Sequence, residues 1–295
     1  MKKWMIWVAA GLALCLLVVG FFVVSWLNRN PNVGLCLADA DEGQPLVVSL
    51  EEASLVVHRG ELTTEKVTEL SQSCMVIVAE LTAPRQAKEI TEASNVPVVF
   101  VGCQPDDADA CYIGGDAKQA GEVFGQLLLS RPERGDWNED GTVTCLLLGA
   151  DPVRADMLAW SEGIRQQLRS AGLQAEFVAM PGTAYTRQTG KDICEQVLSA
   201  YGKDLEAVLV CSDSALKGAM EALQAGGRVP GWNVTLLGAG HSSQMAELVQ
   251  AGQLCGYAYM DEESYIQAVV AAANAARDGK KPESKILEYV PVTAK

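Results

Sequence analysis

Histidine is nearly absent from the chain: His58 and His241 are the only two in 295 residues. Imidazole-based zinc sites and Ser-His-Asp hydrolases therefore have almost nothing to draw on, and no GxSxG elbow accompanies either histidine. Basic side chains are scarce as well, 23 against 37 acidic, for a net charge of −14. Lys2, Lys3 and Arg29 precede Val33 and no acidic residue does, so the chain from Val33 carries 20 basic and 37 acidic residues, a balance of −17. A body that acidic repels phosphate backbones, which excludes charge-driven nucleic-acid binding. The nine cysteines include no CxxC and no Cys/His cluster, which argues against zinc and against a disulfide scaffold. Low-complexity tracts are missing, and an apolar fraction of 49% excludes a disordered chain.

What the N-terminus does have is an apolar run. Met1-Lys2-Lys3 is followed by Trp4–Leu27, 24 residues without a charge. That length spans about 30 Å of hydrocarbon at 1.5 Å per residue. Trp4, Trp7 and Trp26 stand at its ends, where amphipathic rings favour the membrane interfaces. The lysine pair marks the cytoplasmic side, so the expectation is an uncleaved signal anchor, single-pass in the cell membrane, with the body on the extracytoplasmic face. Two alternatives stay open: lipidation at Cys15, since Leu12-Ala13-Leu14-Cys15 resembles a lipoprotein box, and ordinary cleavage. In all three cases the body faces outward.

From Val33 onward, short apolar runs alternate with segments of helical periodicity. The runs are 33–37, 55–57, 75–79, 96–101, 142–148, 175–178, 207–211, 234–237 and 255–259. Such β-branched-rich runs between 3.6-period stripes predict buried parallel strands in βαβ units. Met157, Trp160, Ile164 and Leu168 make one stripe, and Ile266, Val269, Val270 and Ala273 another. Nine strands exceed one doubly wound sheet and predict two α/β lobes. Most cysteines fall on strands as small buried hydrophobes. Cys103 and Cys111 differ, because they bracket an acidic loop, and outside the membrane such a pair can close a disulfide.

One segment carries a specific chemistry. Asp136, Asn138, Asp140 and Thr144 place oxygen ligands at relative positions 1, 3, 5 and 9, Gly141 stands at the sharp turn of position 6, and Thr142 offers its carbonyl at position 7. These are the first nine positions of an EF-hand calcium loop, whose spacing converges hard oxygens on Ca²⁺. Position 12, which should supply a bidentate Glu, is Leu147. Either a carboxylate arrives from elsewhere in the chain or the segment is an Asx-rich turn.

A calcium loop that runs into a strand instead of a helix resembles the type I periplasmic sugar-binding proteins, specifically their calcium-containing galactose/glucose-binding members. Further stretches carry the likeness: Ile113–Gly121 is similar to the first crossover and its capped helix, Asn95–Phe100 to the fourth strand, and Leu248–Asp261 with Ala275–Lys280 to the C-terminal signature. The resemblance implies a two-lobed α/β fold with two parallel doubly wound sheets and three crossovers, near Gly114–Gly115, Asp261 and Ser284–Glu288. It divides the chain into an anchor and linker (1–32), an N-terminal lobe (33–114 plus 262–286) and a C-terminal lobe (115–261 plus 287–295). It implies that Glu206, opening the strand Ala207–Cys211, is the sixth calcium ligand beside Asp136, Asn138, Asp140, Thr142 and Thr144. It also implies a ligand between the lobes, a sugar or sugar derivative, contacted by Arg154, Asp156, Trp160, Tyr185, Ser212 and His241, with Asp41 or Glu42 from the first loop.

Gly240, Met260 and Gly102 stand where the family has Asp, Asn and Asn. Each missing partner would cost about 1–3 kcal/mol for the same sugar, which points away from galactose or glucose themselves. The implied role is non-enzymatic: a monomeric, membrane-anchored solute-binding protein delivering to an ABC permease. A sensor or scaffold with a degenerate cleft is the main rival. An enzyme reading rests on Gly238-Ala239-Gly240-His241-Ser242-Ser243, which imitates a dinucleotide fingerprint loosely, with Ser243 in place of the third glycine.

Overall fold

The computed structural model describes residues 31–37, 44–149, 155–178 and 186–294. The run Trp4–Leu27 lies outside them; among the described residues no helix is long and apolar enough to cross a membrane.

Two six-stranded sheets form. The first runs in the order β11 (Lys285–Leu287), β5 (Cys111–Gly115), β4 (Val98–Gly102), β3 (Val76–Leu81), β1 (Asn32–Leu37), β2 (Val56–Glu61). The second runs β12 (Tyr289–Val292), β10 (Gly256–Met260), β9 (Thr235–Gly240), β8 (Ala207–Val210), β6 (Thr142–Leu148), β7 (Gln174–Phe177). Consecutive residues of the inner strands feed opposite faces, as the pleat requires. Val76 and Val78 enter one core, Ile77 and Ala79 the other. In the second sheet Cys145 and Leu147 face one way, Leu146 and Leu148 the other. Strands buried on both faces are why these segments read as continuous apolar runs rather than as alternation.

Helices α1 (Gln44–Glu52), α2 (Thr64–Ser71) and α3 (Gln86–Ala93) cover the first sheet, joined later by α9 (Glu262–Arg277). The second sheet is covered by α4 (Ala117–Leu129), α5 (Ala155–Ser170), α6 (Arg187–Tyr201), α7 (Asp213–Ala225) and α8 (Ser243–Gln250). The pair α4 and α5 packs at backbone distance, because a Cβ on Gly121 would lie 2.1 Å from the carbonyl oxygen of Trp160. Glycine at 121 therefore sets how deeply Trp160 is seated.

The chain passes between the sheets after Gly115, at Asp261 and at Glu288. Every strand pairing is parallel except β10 with β12. This corrects the expectation of two wholly parallel sheets, and the reason is directional. Strands of both sheets run toward the space between the lobes, so a chain that leaves β11 and enters β12 across Glu288 alone runs away from it. A parallel arrival would need a crossover of a dozen or more residues. Three strands exceed the nine expected: β5, whose Gly114-Gly115 end weakens the pattern, and the short edge strands β11 and β12.

The eight described cysteines are free thiols, which answers the question left open for Cys103 and Cys111 against a disulfide. Cys103 faces the core under α2 and α3, whereas Cys111 faces the core under α1 and α9. The two side chains lie on opposite faces of one sheet and cannot meet.

Candidate functional site

Between the lobes, the carboxyl ends of β4, β5, β8, β9 and β10 converge on a cavity of about 100 Å³. It opens into a wider groove of about 1200 Å³ beside α1, α8 and α9. Open α/β sheets place ligands at this end because helices begin there and leave backbone N–H groups free to point inward. Here the starts are capped by side chains. Asp116 accepts from the Gln119 amide at 2.8 Å, Ser212 from Ala215 at 3.2 Å, Ser242 from Met245 at 3.4 Å and Asp261 from Ser264 at 2.8 Å. Each cap contributes about 1 kcal/mol and fixes a loop at the cavity rim.

Three of the six residues expected to contact ligand line this cavity: Trp160, Ser212 and His241. Trp160 is only 6% exposed. Its ring lies 5.0 Å from Phe124 and, edge-on, 6.0 Å from Tyr289, so it is both core and cavity wall. Ser212 caps α7 with its hydroxyl oxygen. His241 stacks on Tyr265 with ring centroids 4.1 Å apart, a contact that bridges the two lobes. Arg154 and Tyr185 lie outside the described residues, as do Asp41 and Glu42; Asp156 falls in the first turn of α5, with its side chain outside them.

The structure adds residues that the sequence reading did not single out for the cavity: Glu80, Tyr112, Asp213, Tyr265 and Tyr289. Asp213 is the best defined. Tyr257 donates its hydroxyl to Asp213 Oδ1, and the amides of His241 and Ser242 donate to Oδ2 at 3.3 and 3.2 Å. Gly240 makes this possible, since a Cβ there would sit 2.4 Å from Asp213 Oδ2. The two amides that an incoming pyrophosphate would need are thus taken by a carboxylate, which counts against the dinucleotide reading. Burial pushes the hydroxyls of Tyr257, Tyr265 and Tyr289 well above the usual phenol range, with the charge of Asp213 adding to each. All three stay protonated, and Tyr257 donates to Asp213. Two signals could have pointed to these residues: Glu80 is a charge closing a buried strand, and Tyr265 lies one turn before Val269 on a core stripe.

At the opposite pole of the second lobe, the loop 136–144 closes on itself. Asp136 accepts from the amides of Asp140 and Gly141 at 3.1 and 2.9 Å, Asn138 Oδ1 from Asp140 at 2.9 Å, and Asp140 Oδ1 from Thr142 at 2.8 Å. Gly141 takes φ +88°, the left-handed turn required at position 6. Glu206, 62 residues beyond Thr144, reaches this loop. Its Oε1 accepts from Trp137 and Asn138 at 2.8 and 3.1 Å, and its Oε2 from Thr144 at 2.9 Å. Glu206 is 1% exposed and Asp136 9%. Desolvation raises the Glu206 carboxyl above its ordinary range, the three amides oppose that, and the charge of Asp136 adds to it. The side-chain donors are all hard oxygens and two of the carboxylates are buried, a chemistry that fits Ca²⁺. Among the described residues, however, no group of three or more His, Cys, Asp or Glu side chains is arranged to hold a metal ion. Asp136, Asp140 and Glu206 are three such side chains, so in this structure they do not converge on a single point.

Among solved structures, several solute-binding proteins share the fold. An ABC transporter solute-binding protein of Bacillus halodurans with bound myo-inositol is 18% identical with a TM-score of 0.67, over 89% of this chain and 93% of that one. The myo-inositol-binding protein of Caulobacter is 15% identical with a TM-score of 0.68, over 90% and 94%. A carbohydrate transporter solute-binding protein of Agrobacterium radiobacter in complex with D-arabinose is 16% identical with a TM-score of 0.66, over 89% and 94%. At such identities the likeness establishes the fold. The family comes from the sequence itself: residues 70–281, well over half of the chain, match the periplasmic binding protein domain, and the chain belongs to that family.

Proposed function

We propose that this chain is an extracytoplasmic solute receptor for a sugar or sugar derivative, without a catalytic step. The observation that carries the reading is the cavity at the facing strand ends of two lobes, walled by Trp160, Tyr112 and Tyr289 and edged by polar Ser212, Asp213 and His241. A planar ring gives apolar contact to the C–H face of a sugar, and a carboxylate fixed by three donors takes hydroxyls in set directions. The structural neighbours that hold myo-inositol and D-arabinose support the ligand class. In this reading Arg154, Asp156 and Tyr185 complete the contacts. The lobes are 33–114 with 262–286 and 115–261 with 287–295, and closure about the three crossings is a hinge motion driven by tighter binding to the closed state. Trp4–Leu27 anchors the receptor to the cell membrane as a single span, and an ABC permease takes the solute onward.

Calcium belongs to the same proposal. Asp136, Asn138, Asp140, the Thr142 carbonyl, Thr144 and Glu206 would hold it, in a structural role that ties the start of β6 to the start of β8. Each of these oxygens except Glu206 Oε1, which already takes two amides, keeps lone-pair capacity for a cation.

The rival reading, a sensor or scaffold with a degenerate cleft, is favoured by one feature. The cavity is small, and the ring of Tyr289 fills the space beside Gly115, 2.0 Å from where a Cβ would lie. A thermal-shift screen of the full chain against monosaccharides, sugar acids, nucleosides and amino acids separates the two. Stabilisation confined to sugars supports the receptor, and a flat response to every solute supports the rival.

A further inference from the structure

We infer that Tyr289 sets the size of the solute, so that the cleft admits pentoses and smaller polyols and rejects the matching hexoses. The inference rests on the receptor reading above and narrows its ligand class. The cavity holds about 100 Å³. An apolar cavity of about 150 Å³ holds one benzene, and a hexose has twice the heavy atoms of benzene. The space that a larger solute lacks must come from a wall that yields.

Lobe opening supplies space on the side of the groove, where His241 and Tyr265 meet across the lobes. Tyr289 supplies none, because its main chain is fixed to the second lobe. Gln119 on α4 grips that main chain twice, accepting from the Tyr289 amide at 2.9 Å and donating to the Tyr289 carbonyl at 2.7 Å. Gln119 is itself held by the Asp116 cap. On its other side Tyr289 pairs with Met260 of β10. The ring then enters the place left open by Gly115, where a Cβ would lie 2.0 Å from its Cε2, and it meets Trp160 edge-on at 6.0 Å. Cys211 and Asp213, both in the cavity lining, act electrostatically on its hydroxyl. The ring therefore walls the second-lobe side of the cavity, from the crossing at Glu288 to the start of α7. A side chain packed in this way gives ground only through off-rotamer strain or a backbone shift. One hydroxymethyl group separates a pyranose pentose from its hexose, and a packed pocket discriminates at that scale.

The test is isothermal titration of the full chain in detergent with pentose and hexose pairs that differ only by that group. D-ribose is matched with D-allose, D-xylose with D-glucose and L-arabinose with D-galactose, and erythritol serves as a smaller polyol. The expected result is that a pentose binds and its matched hexose binds at least about tenfold more weakly. Tyr289→Ala should cancel that difference by admitting the hexose, and Tyr289→Phe, which keeps the ring, should retain it. Melting points without solute show whether the variants are folded, and the wild-type comparison stands without them. A hexose bound by wild type as tightly as its pentose, or tighter, overturns the inference and leaves the receptor reading intact. Binding of erythritol alone upholds the size limit. An unchanged ratio in folded Tyr289→Ala overturns the role of the ring, and so does loss of all binding, which makes the ring a ligand contact. Hexose binding by Tyr289→Ala with a silent wild type upholds the ring as the barrier and defeats the receptor reading. Silence from wild type and both variants defeats the inference and the receptor reading together.

Discussion

Replacing Glu206 by glutamine separates the two roles that its buried carboxylate can play. The side chain is 1% exposed and accepts three backbone amides, two on Oε1 and one on Oε2. Glutamine keeps one carbonyl oxygen for Trp137 and Asn138 but turns an NH₂ toward the Thr144 amide. One charge-assisted bond is lost, about 1.5–3 kcal/mol, and two donors then face each other. Removing a desolvated charge beside Asp136 offsets part of this. The net expectation in chelator is a loss of about 1–3 kcal/mol, or roughly 2–10 °C in melting point for a body of this size. Calcium adds a second, separable effect. At a free concentration about 100 times its Kd it should stabilise the wild type by about 2.7 kcal/mol and raise its midpoint by roughly 5–10 °C. Glu206→Gln should show little of that rise. Scanning calorimetry of both proteins, with calcium and with chelator, reads the four midpoints. Identical wild-type midpoints in the two conditions would refute the metal role. A variant as stable as wild type in chelator would refute the hydrogen-bond clamp, and a variant that keeps the full calcium shift would remove Glu206 from the ligand set.

The raised Glu206 carboxyl gives a pH signature. A folded-state pKa above the unfolded one means that the stabilisation is complete below the ordinary glutamate value of 4.5 and is lost as pH rises through the raised folded-state value. In chelator, the midpoint of wild type minus that of Glu206→Gln should therefore shrink as pH rises; growth of the difference would contradict the assignment. Gly121→Ala pushes a methyl against the Trp160 carbonyl, 2.1 Å away, and should lower stability by about 1–3 kcal/mol in denaturant titration; an unchanged midpoint would mean that the helices slide apart freely. Tyr257→Phe takes a hydroxyl from Asp213 and should cost about 1–3 kcal/mol with the fold retained by circular dichroism; a neutral result would mean that water replaces the hydroxyl.

Much of the architecture was legible because burial on both faces writes itself as uninterrupted Val, Ile and Leu. The segments at β1, β3, β4, β6, β8 and β9 are of that kind. Strands β5, β11 and β12 were not legible, since two glycines end one and the others are short exposed edges whose pairing depends on where the chain re-enters a sheet. The disulfide possibility failed for a reason no spacing reveals: Cys103, one residue past the end of β4, packs into the core on one side of the sheet, and Cys111 on β5 packs into the core on the other. At the cleft, Trp160, Ser212 and His241 follow strand ends and helix starts, which sequence pattern can place. Asp213 and Tyr265 were hidden because each doubles as an ordinary helix residue, and only the tertiary approach of β9, α7 and α9 turns them toward one space.

The central claim is that a sugar-class solute binds in the space between the lobes. Isothermal titration of the full chain, with detergent present for the apolar N-terminal run, tests it when wild type is compared with Ala117→Phe. Ala117 lines the cavity at the first turn of α4, where a phenyl ring fits the helix and fills the space. The account predicts saturable binding of one sugar or sugar derivative per wild-type chain and none in Ala117→Phe. Equal binding by both proteins, or none by wild type across the panel, would contradict it.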